Sequence, residues 1–188
     1  MSAHLFVDES RRGSYLLVAA RVLPPDLART RTLLRGLRYP GDVRLHFNTE
    51  RDSRRRIVLA RLVEARLCTT VYTGRGRPEE VRKACLQVLT ADACKQGVGR
   101  LVLESRGRSL DQNDRLVIAR TLRQAGAGQR LDGPAGEAAP MMTYEHLQPH
   151  EDPVLWLADA VAWSYGAGGA WRARVGPIVE AVIDLGQA

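Results

Sequence analysis

The 188-residue chain reads as a single α/β domain with a mixed sheet. Three observations lead there. Apolar, β-branched runs alternate along the chain with segments of helical spacing, the pattern of interleaved strands and helices. The first two runs are separated only by a tight turn, so the sheet opens with an antiparallel hairpin. The composition, 45% hydrophobic and 26% charged, is that of an ordinary globular domain. A chain of this size buries a core without metals or disulfides to staple it.

The elements follow in order. Residues 4–8 form a short buried strand ending in the pair Asp8-Glu9, Arg11-Arg12-Gly13 turns, and residues 14–23 form the second strand, stopped by Pro24-Pro25. A short basic helix with Arg29, Arg31 and Arg35 comes next, then the turn Tyr39-Pro40-Gly41-Asp42 and a short strand from Val43 to Phe47. Thr49-x-x-Asp52 has the form of a capping box opening a helix to about Glu64. Residues 66–73 are β-branched and strand-like. Pro78-Glu79-Glu80 starts a helix, since proline fits the first turn and carboxylates suit the positive end of the dipole; Gly97 and Gly99 stop it. Residues 100–104 are a buried strand ending in Glu104, and Ser109-x-x-Gln112 caps a helix to about Gln124. A Gly/Ala/Pro-rich stretch at about 126–140 reads as a flexible loop within the one domain, and residues 141–147 as a last strand. Asp152-Pro153 opens an apolar helix, and the segment from Trp171 to Leu185 is expected to be helical.

Charge and cysteine narrow the function classes. Lys and Arg number 28 against 21 Asp and Glu, a net charge of +7 and a pI near 9.9, which favours an anionic partner, nucleic acid (DNA or RNA) first and an acidic membrane second. Almost all of the excess is arginine, a bias that GC-rich coding also produces. Cys68, Cys85 and Cys94 form no C-x-x-C, so no zinc knuckle or disulfide framework is expected. Met1-Ser2-Ala3-His4 lacks the charged start of a signal peptide, and reduced thiols suit a cytoplasmic setting. Between Val154 and Trp171 the only formal charge is Asp159, but glycines 166, 168 and 169 break the run, so a core helix and no membrane span is expected.

Three carboxylates stand out. Asp8 ends one apolar strand, Glu104 ends another, and Asp159 shares a helical face with Leu155, Ala162 and Gly166. A carboxylate on an inward stripe is costly unless it is paired with a cation or holds a metal. With so many arginines, pairing is the plain alternative. A site made only of carboxylates suits hard cations, Mg²⁺ or Mn²⁺, which serve phosphoryl chemistry.

Five segments then resemble one family. Phe6-Val7-Asp8-Glu9-Ser10 is similar to the D-E-S opening of the DUF3800 proteins. Arg44-Leu45-His46-Phe47 with the Arg-rich helix at Arg54-Arg55-Arg56 resembles that family's E-[IL]-[HK]-F element. Leu101-Val102-Leu103-Glu104-Ser105-Arg106 resembles its acid-ended strand, and Met142-Thr143-Tyr144-Glu145 its last strand. Leu155-Trp156-Leu157-Ala158-Asp159-Ala160-Val161-Ala162 is similar to the closing L-Q-x-A-D-x-[IV]-A motif. Together they span about residues 5–165. The resemblance implies a ribonuclease-H-like fold, a mixed five-stranded sheet flanked by helices, with an acidic site of Asp8, Glu104 and Asp159 and, in second rank, Glu9 and Glu145. Arg44 stands where the family often has Glu, Trp156 where it has Gln, and Glu104 where many members have Asp.

The expected activity is that of a Mg²⁺- or Mn²⁺-dependent nuclease or related phosphoryl-transfer enzyme. Arg51, Arg54, Arg55, Arg106 and Arg108 are candidates to hold the phosphate backbone, and His46 to shuttle a proton or sit beside the metal. A solvated helix start is the plain alternative for the arginines. The competing classes are a non-catalytic nucleic-acid-binding protein on the same fold, and an assembly protein using Trp156, Trp163 and Trp171 as an interface rather than as core.

Overall fold

The computed structural model of the chain describes residues 2–129 and 142–187. Six strands make one sheet: β1 (His4–Ser10), β2 (Tyr15–Val22), β3 (Cys68–Arg75), β4 (Arg100–Glu104), β5 (Thr143–Leu147) and β6 (Val179–Gln187). Their order across the sheet is β5-β4-β1-β2-β3-β6. β1 pairs antiparallel with β2 and parallel with β4; β2 pairs antiparallel with β3; β4–β5 and β3–β6 are parallel. Only β2 therefore runs against the rest. The helices are α1 (Leu27–Gly36), α2 (Asp52–Glu64), α3 (Pro78–Lys95), α4 (Arg108–Gln129), α5 (Val154–Ala167) and α6 (Gly169–Val175).

Strand alternation sends successive side chains to opposite faces, and each face has its own core. Phe6, Leu16, Val18, Ala20, Val71 and Val102 pack against α1, α2 and α5. Leu5, Val7, Leu17, Ala19, Leu101 and Leu103 pack against α3 and α4. Helices thus cover both faces of a mixed sheet, the α/β arrangement expected from the sequence. Helix α5 is central to the first core: every residue from Val154 to Ser164 is buried except Asp159. No described helix is long and apolar enough to cross a membrane.

Four expectations are corrected. The segment 171–185 is not one helix: α6 ends at Val175, and β6 adds a sixth strand to the five expected, parallel to β3. Thr69 pairs with Val179 but Thr70 with Ala181, so a bulge at Glu180 switches the inward side chains from Val179 to Ile183 and Leu185. That break hides the period-2 pattern. Residues 43–47 form no strand; the chain there is irregular and ends in a short 3₁₀ turn, Phe47–Thr49. Thr49 does not cap α2. Its hydroxyl donates to the His46 carbonyl, and Arg51 occupies the N-cap without a side-chain bond. Helix α4 starts at Arg108 and continues through Gln129, into the stretch read as loop from 126. Residues 130–140 of that loop lie outside the described residues.

Candidate active site

Asp8 and Glu104 reach the same place because β1 and β4 are parallel neighbours in register. Val7 pairs with Leu103, so each acid follows one residue later at the carboxyl end of its strand. Both point to the α5 face, since Phe6 and Val102, two residues back, lie in that core. Helix α5 crosses this face and brings Asp159 to the same end. The carboxyl ends of parallel strands are where open α/β sheets bind ligands.

The three carboxylates feel one another. Burial pushes the Asp8 carboxyl well above its usual range, and the neighbouring charges of Glu104 and Asp159 push it further. Burial, with Asp159 beside it, raises Glu104 to about 7, against an opposing pull from Arg44. Burial also raises Asp159, countered by a hydrogen bond from the Phe47 amide and by the nearby His46 and Arg44. The amide bond is 3.2 Å to Oδ2. Arg44 Nη1 lies 3.8 Å from Glu104 Oε1, the one ion pair to any of the three among the described residues. All the donors are hard oxygens, which fits Mg²⁺ or Mn²⁺. Yet among the described residues no three His, Cys, Asp or Glu side chains are drawn together closely enough to hold a metal ion. The acids share one end of the sheet without forming a closed cage.

The segment before α2 forms one wall and is tied to α5. The Phe47 amide bonds Asp159, and the Trp163 indole donates to Asn48 Oδ1 (3.0 Å). The Phe47 and Trp163 rings meet edge to face at 5.4 Å. Arg55 donates to the carbonyls of Phe47 (3.0 Å) and Asn48 (2.7 Å). His46 sits in this wall, half-buried, and its Nδ1 has no hydrogen-bond partner. The β1–β2 turn closes another side. A Cβ on Gly166 would stand 2.6 Å from the Arg12 carbonyl oxygen, so only glycine lets the turn seat against α5.

The second-rank acids lie elsewhere. Glu9, one residue on from Asp8, points to the opposite face, where Arg82 (2.5 Å) and the Tyr15 hydroxyl (2.5 Å) bind it. Arg82 also forms a two-pronged pair with Asp114 (2.9 and 2.6 Å), and His146 Nε2 lies 3.3 Å from Asp114. Burial alone would raise Asp114, but the bonds from His146 and Arg82 hold it well below the usual carboxylate range. Glu145 is opposite Val102, back from the strand end, and is paired with Arg100 at 2.5 Å. Both are ion-pair partners rather than members of the acidic pocket.

The arginines divide the same way. Arg54 donates to the Leu37 carbonyl and lies over the Tyr39 ring. Arg55 is spent on Phe47, Asn48 and Asp52. Arg106 pairs with Glu79 (2.8 Å) and Asp114 (3.4 Å). These three hold the fold together. Arg51 and Arg108 are exposed. Of the tryptophans, Trp156 and Trp163 are core residues, and Trp156 donates to the Pro149 carbonyl.

The buried Arg82–Asp114–His146 network was not anticipated. Its sequence signal, an Arg in the apolar face of α3 and an Asp in that of α4, is visible only once the two helices are known to pack together. The wall at Phe47 acts through a backbone amide, which carries no residue-type signal at all.

No protein-family model matches the chain, and no curated protein matches it. Among solved structures it is similar to RNase HII from Archaeoglobus fulgidus, in that enzyme's complex with PCNA. The identity is 16% over 87% of this chain and 70% of that chain, with a TM-score of 0.47.

Proposed function

We propose that this protein is a divalent-cation-dependent phosphodiesterase of the DUF3800 type acting on nucleic acid, with Asp8, Glu104 and Asp159 as its Mg²⁺ or Mn²⁺ ligands. One observation carries the reading: three carboxylates from β1, β4 and α5 are held at one end of the sheet against their mutual repulsion. Burying like charges together is expensive, and a cation is what offsets the cost. A divalent ion bound there supplies Lewis acidity to a phosphodiester and an activated water. The protein's own residues do the rest. The Phe47 amide fixes the rotation of Asp159, Arg44 lies beside Glu104, and His46 is placed beside Asp159 to give or take a proton.

The test is cleavage of labelled single- and double-stranded DNA and RNA with Mg²⁺, Mn²⁺ or EDTA. Asp8→Asn and Asp159→Asn are expected to abolish metal-dependent cleavage while circular dichroism stays native. Unchanged, native-level cleavage by both variants refutes the assignment. A second reading, a binding protein without turnover, is favoured by the Arg44–Glu104 contact and the open arrangement of the acids. Nucleic-acid affinity that is indifferent to metal, with no product, would decide for it.

A further inference from the structure

Beside the three acids stands a set of aromatic rings and guanidinium groups. Trp163 lies one helical turn beyond Asp159, about 6 Å along α5 at 1.5 Å per residue. The guanidinium of Arg55 lies 4.2 Å from the centre of its ring and that of Arg12 lies 4.7 Å from it. Trp171 meets Trp163 edge to face at 5.6 Å and carries Arg56 at 5.9 Å. Arg172 sits 4.3 Å over Tyr165.

The four arginines are not equivalent. Arg55 is inner, with its N–H groups used by Phe47, Asn48 and Asp52. Arg12, Arg56 and Arg172 are exposed and form no ion pair among the described residues. A guanidinium stacked on a ring is held in place with in-plane N–H groups left for phosphate oxygens; Arg172 spends its Nε–H on the Tyr165 carbonyl (3.0 Å) and keeps its terminal N–H groups. Arg29, Arg115 and Arg120 are also exposed without an ion pair among the described residues, but Arg12, Arg56 and Arg172 each lie over an aromatic ring. Arg12 and Arg56 lie over the Trp163–Trp171 pair, one helical turn from Asp159, and Arg172 follows Trp171 in α6 and lies over Tyr165; together they offer cations to a polyanionic strand.

We propose that Arg12, Arg56 and Arg172, raised on Trp163, Trp171 and Tyr165, are the rail that carries the nucleic-acid backbone past Asp8, Glu104 and Asp159. The inference rests on the nucleic-acid reading above and replaces Arg54, Arg55 and Arg106 as the backbone contacts. Ring-stacked arginines read charge and spacing rather than base edges, so the rail binds without sequence preference.

The experiment is fluorescence anisotropy of a labelled oligonucleotide, single-stranded and duplex, in EDTA across a salt series. The triple variant Arg12→Gln, Arg56→Gln, Arg172→Gln should bind more weakly. Its slope of log K against log salt should fall by about 2 on a single strand and about 3 on a duplex, at about 0.7 and 0.9 per lost phosphate contact. A control triple that removes the same charge elsewhere, Arg29→Gln, Arg115→Gln, Arg120→Gln, should leave most of the slope. Arginine-to-lysine changes at the ridge should keep most of the slope, with thermal melts confirming the fold. An unchanged slope in the ridge variant, or an equal loss in the control, overturns the rail while Asp8→Asn still judges the catalytic reading. Failure of the native protein to bind any oligonucleotide overturns both.

Discussion

Glu104 gives the sharpest energetic test. In the fold its carboxyl is raised from the ordinary 4.5 to about 7, first by burial and then by Asp159. Between those values the native state holds more protons than the unfolded chain, so stability falls as pH rises through this window. At about 1.4 kcal/mol per pH unit, the ionised group costs about 3 kcal/mol above pH 7. The side chain is 23% exposed, so solvent screening trims this only modestly. Glu104→Gln keeps the shape of the neutral acid and cannot ionise. Without metal, it should come close to the native protein at about pH 5 and exceed it by about 2–3 kcal/mol at about pH 8.5, the pull of Arg44 being already contained in the raised value. For a domain of this size that is a rise of roughly 5–10 °C in Tm. Thermal melts in EDTA at the two pH values read it directly. Mg²⁺ or Mn²⁺ should stabilise the native protein at the higher pH and leave Glu104→Gln unmoved. A variant that is less stable at both pH values, or more stable by the same amount at both, refutes the reasoning.

Other predictions follow from the surroundings of the pocket. Arg82→Met removes the buried cation shared by Glu9 and Asp114, leaving them the longer contacts of Arg106 and His146 and the Tyr15 hydroxyl, and urea unfolding should show a loss of about 3 kcal/mol. Gly166→Ala drives a Cβ to 2.6 Å from the Arg12 carbonyl oxygen and should cost about 1–3 kcal/mol. Gly126→Ala, with nothing within 4 Å, should instead gain about 0.4–1 kcal/mol in the same denaturation series. Arg44→Gln removes a half-exposed cation that competes for Glu104, and calorimetry should find Mn²⁺ bound up to about fivefold more tightly. Weaker binding would make Arg44 part of the site's support.

What could be read from the sequence was what strand ends and helical faces announce. Asp8 and Glu104 closed apolar runs, and Asp159 interrupted a helix otherwise buried all round, so each was conspicuous before its neighbours were known. Their placement at one end of the sheet needed the β1–β4 register, which no local pattern contains. β6 escaped because the bulge at Glu180 shifts its inward side chains by one residue. Arg54, Arg55 and Arg106 were indistinguishable from solvated arginines by composition. Their partners are carbonyls and acids brought close by the fold. The same blindness hid the ridge, whose rings lie on α5 and α6 while its cations come from the β1–β2 turn, α2 and α6.

The central claim concerns a cation between three acids, and an anomalous-difference map from crystals grown with Mn²⁺ at alkaline pH addresses it most directly. The account predicts a peak bounded by Asp8, Glu104 and Asp159, with Arg44 displaced from Glu104. A map with no peak there, and the Arg44 guanidinium still seated against the carboxylates, would contradict it.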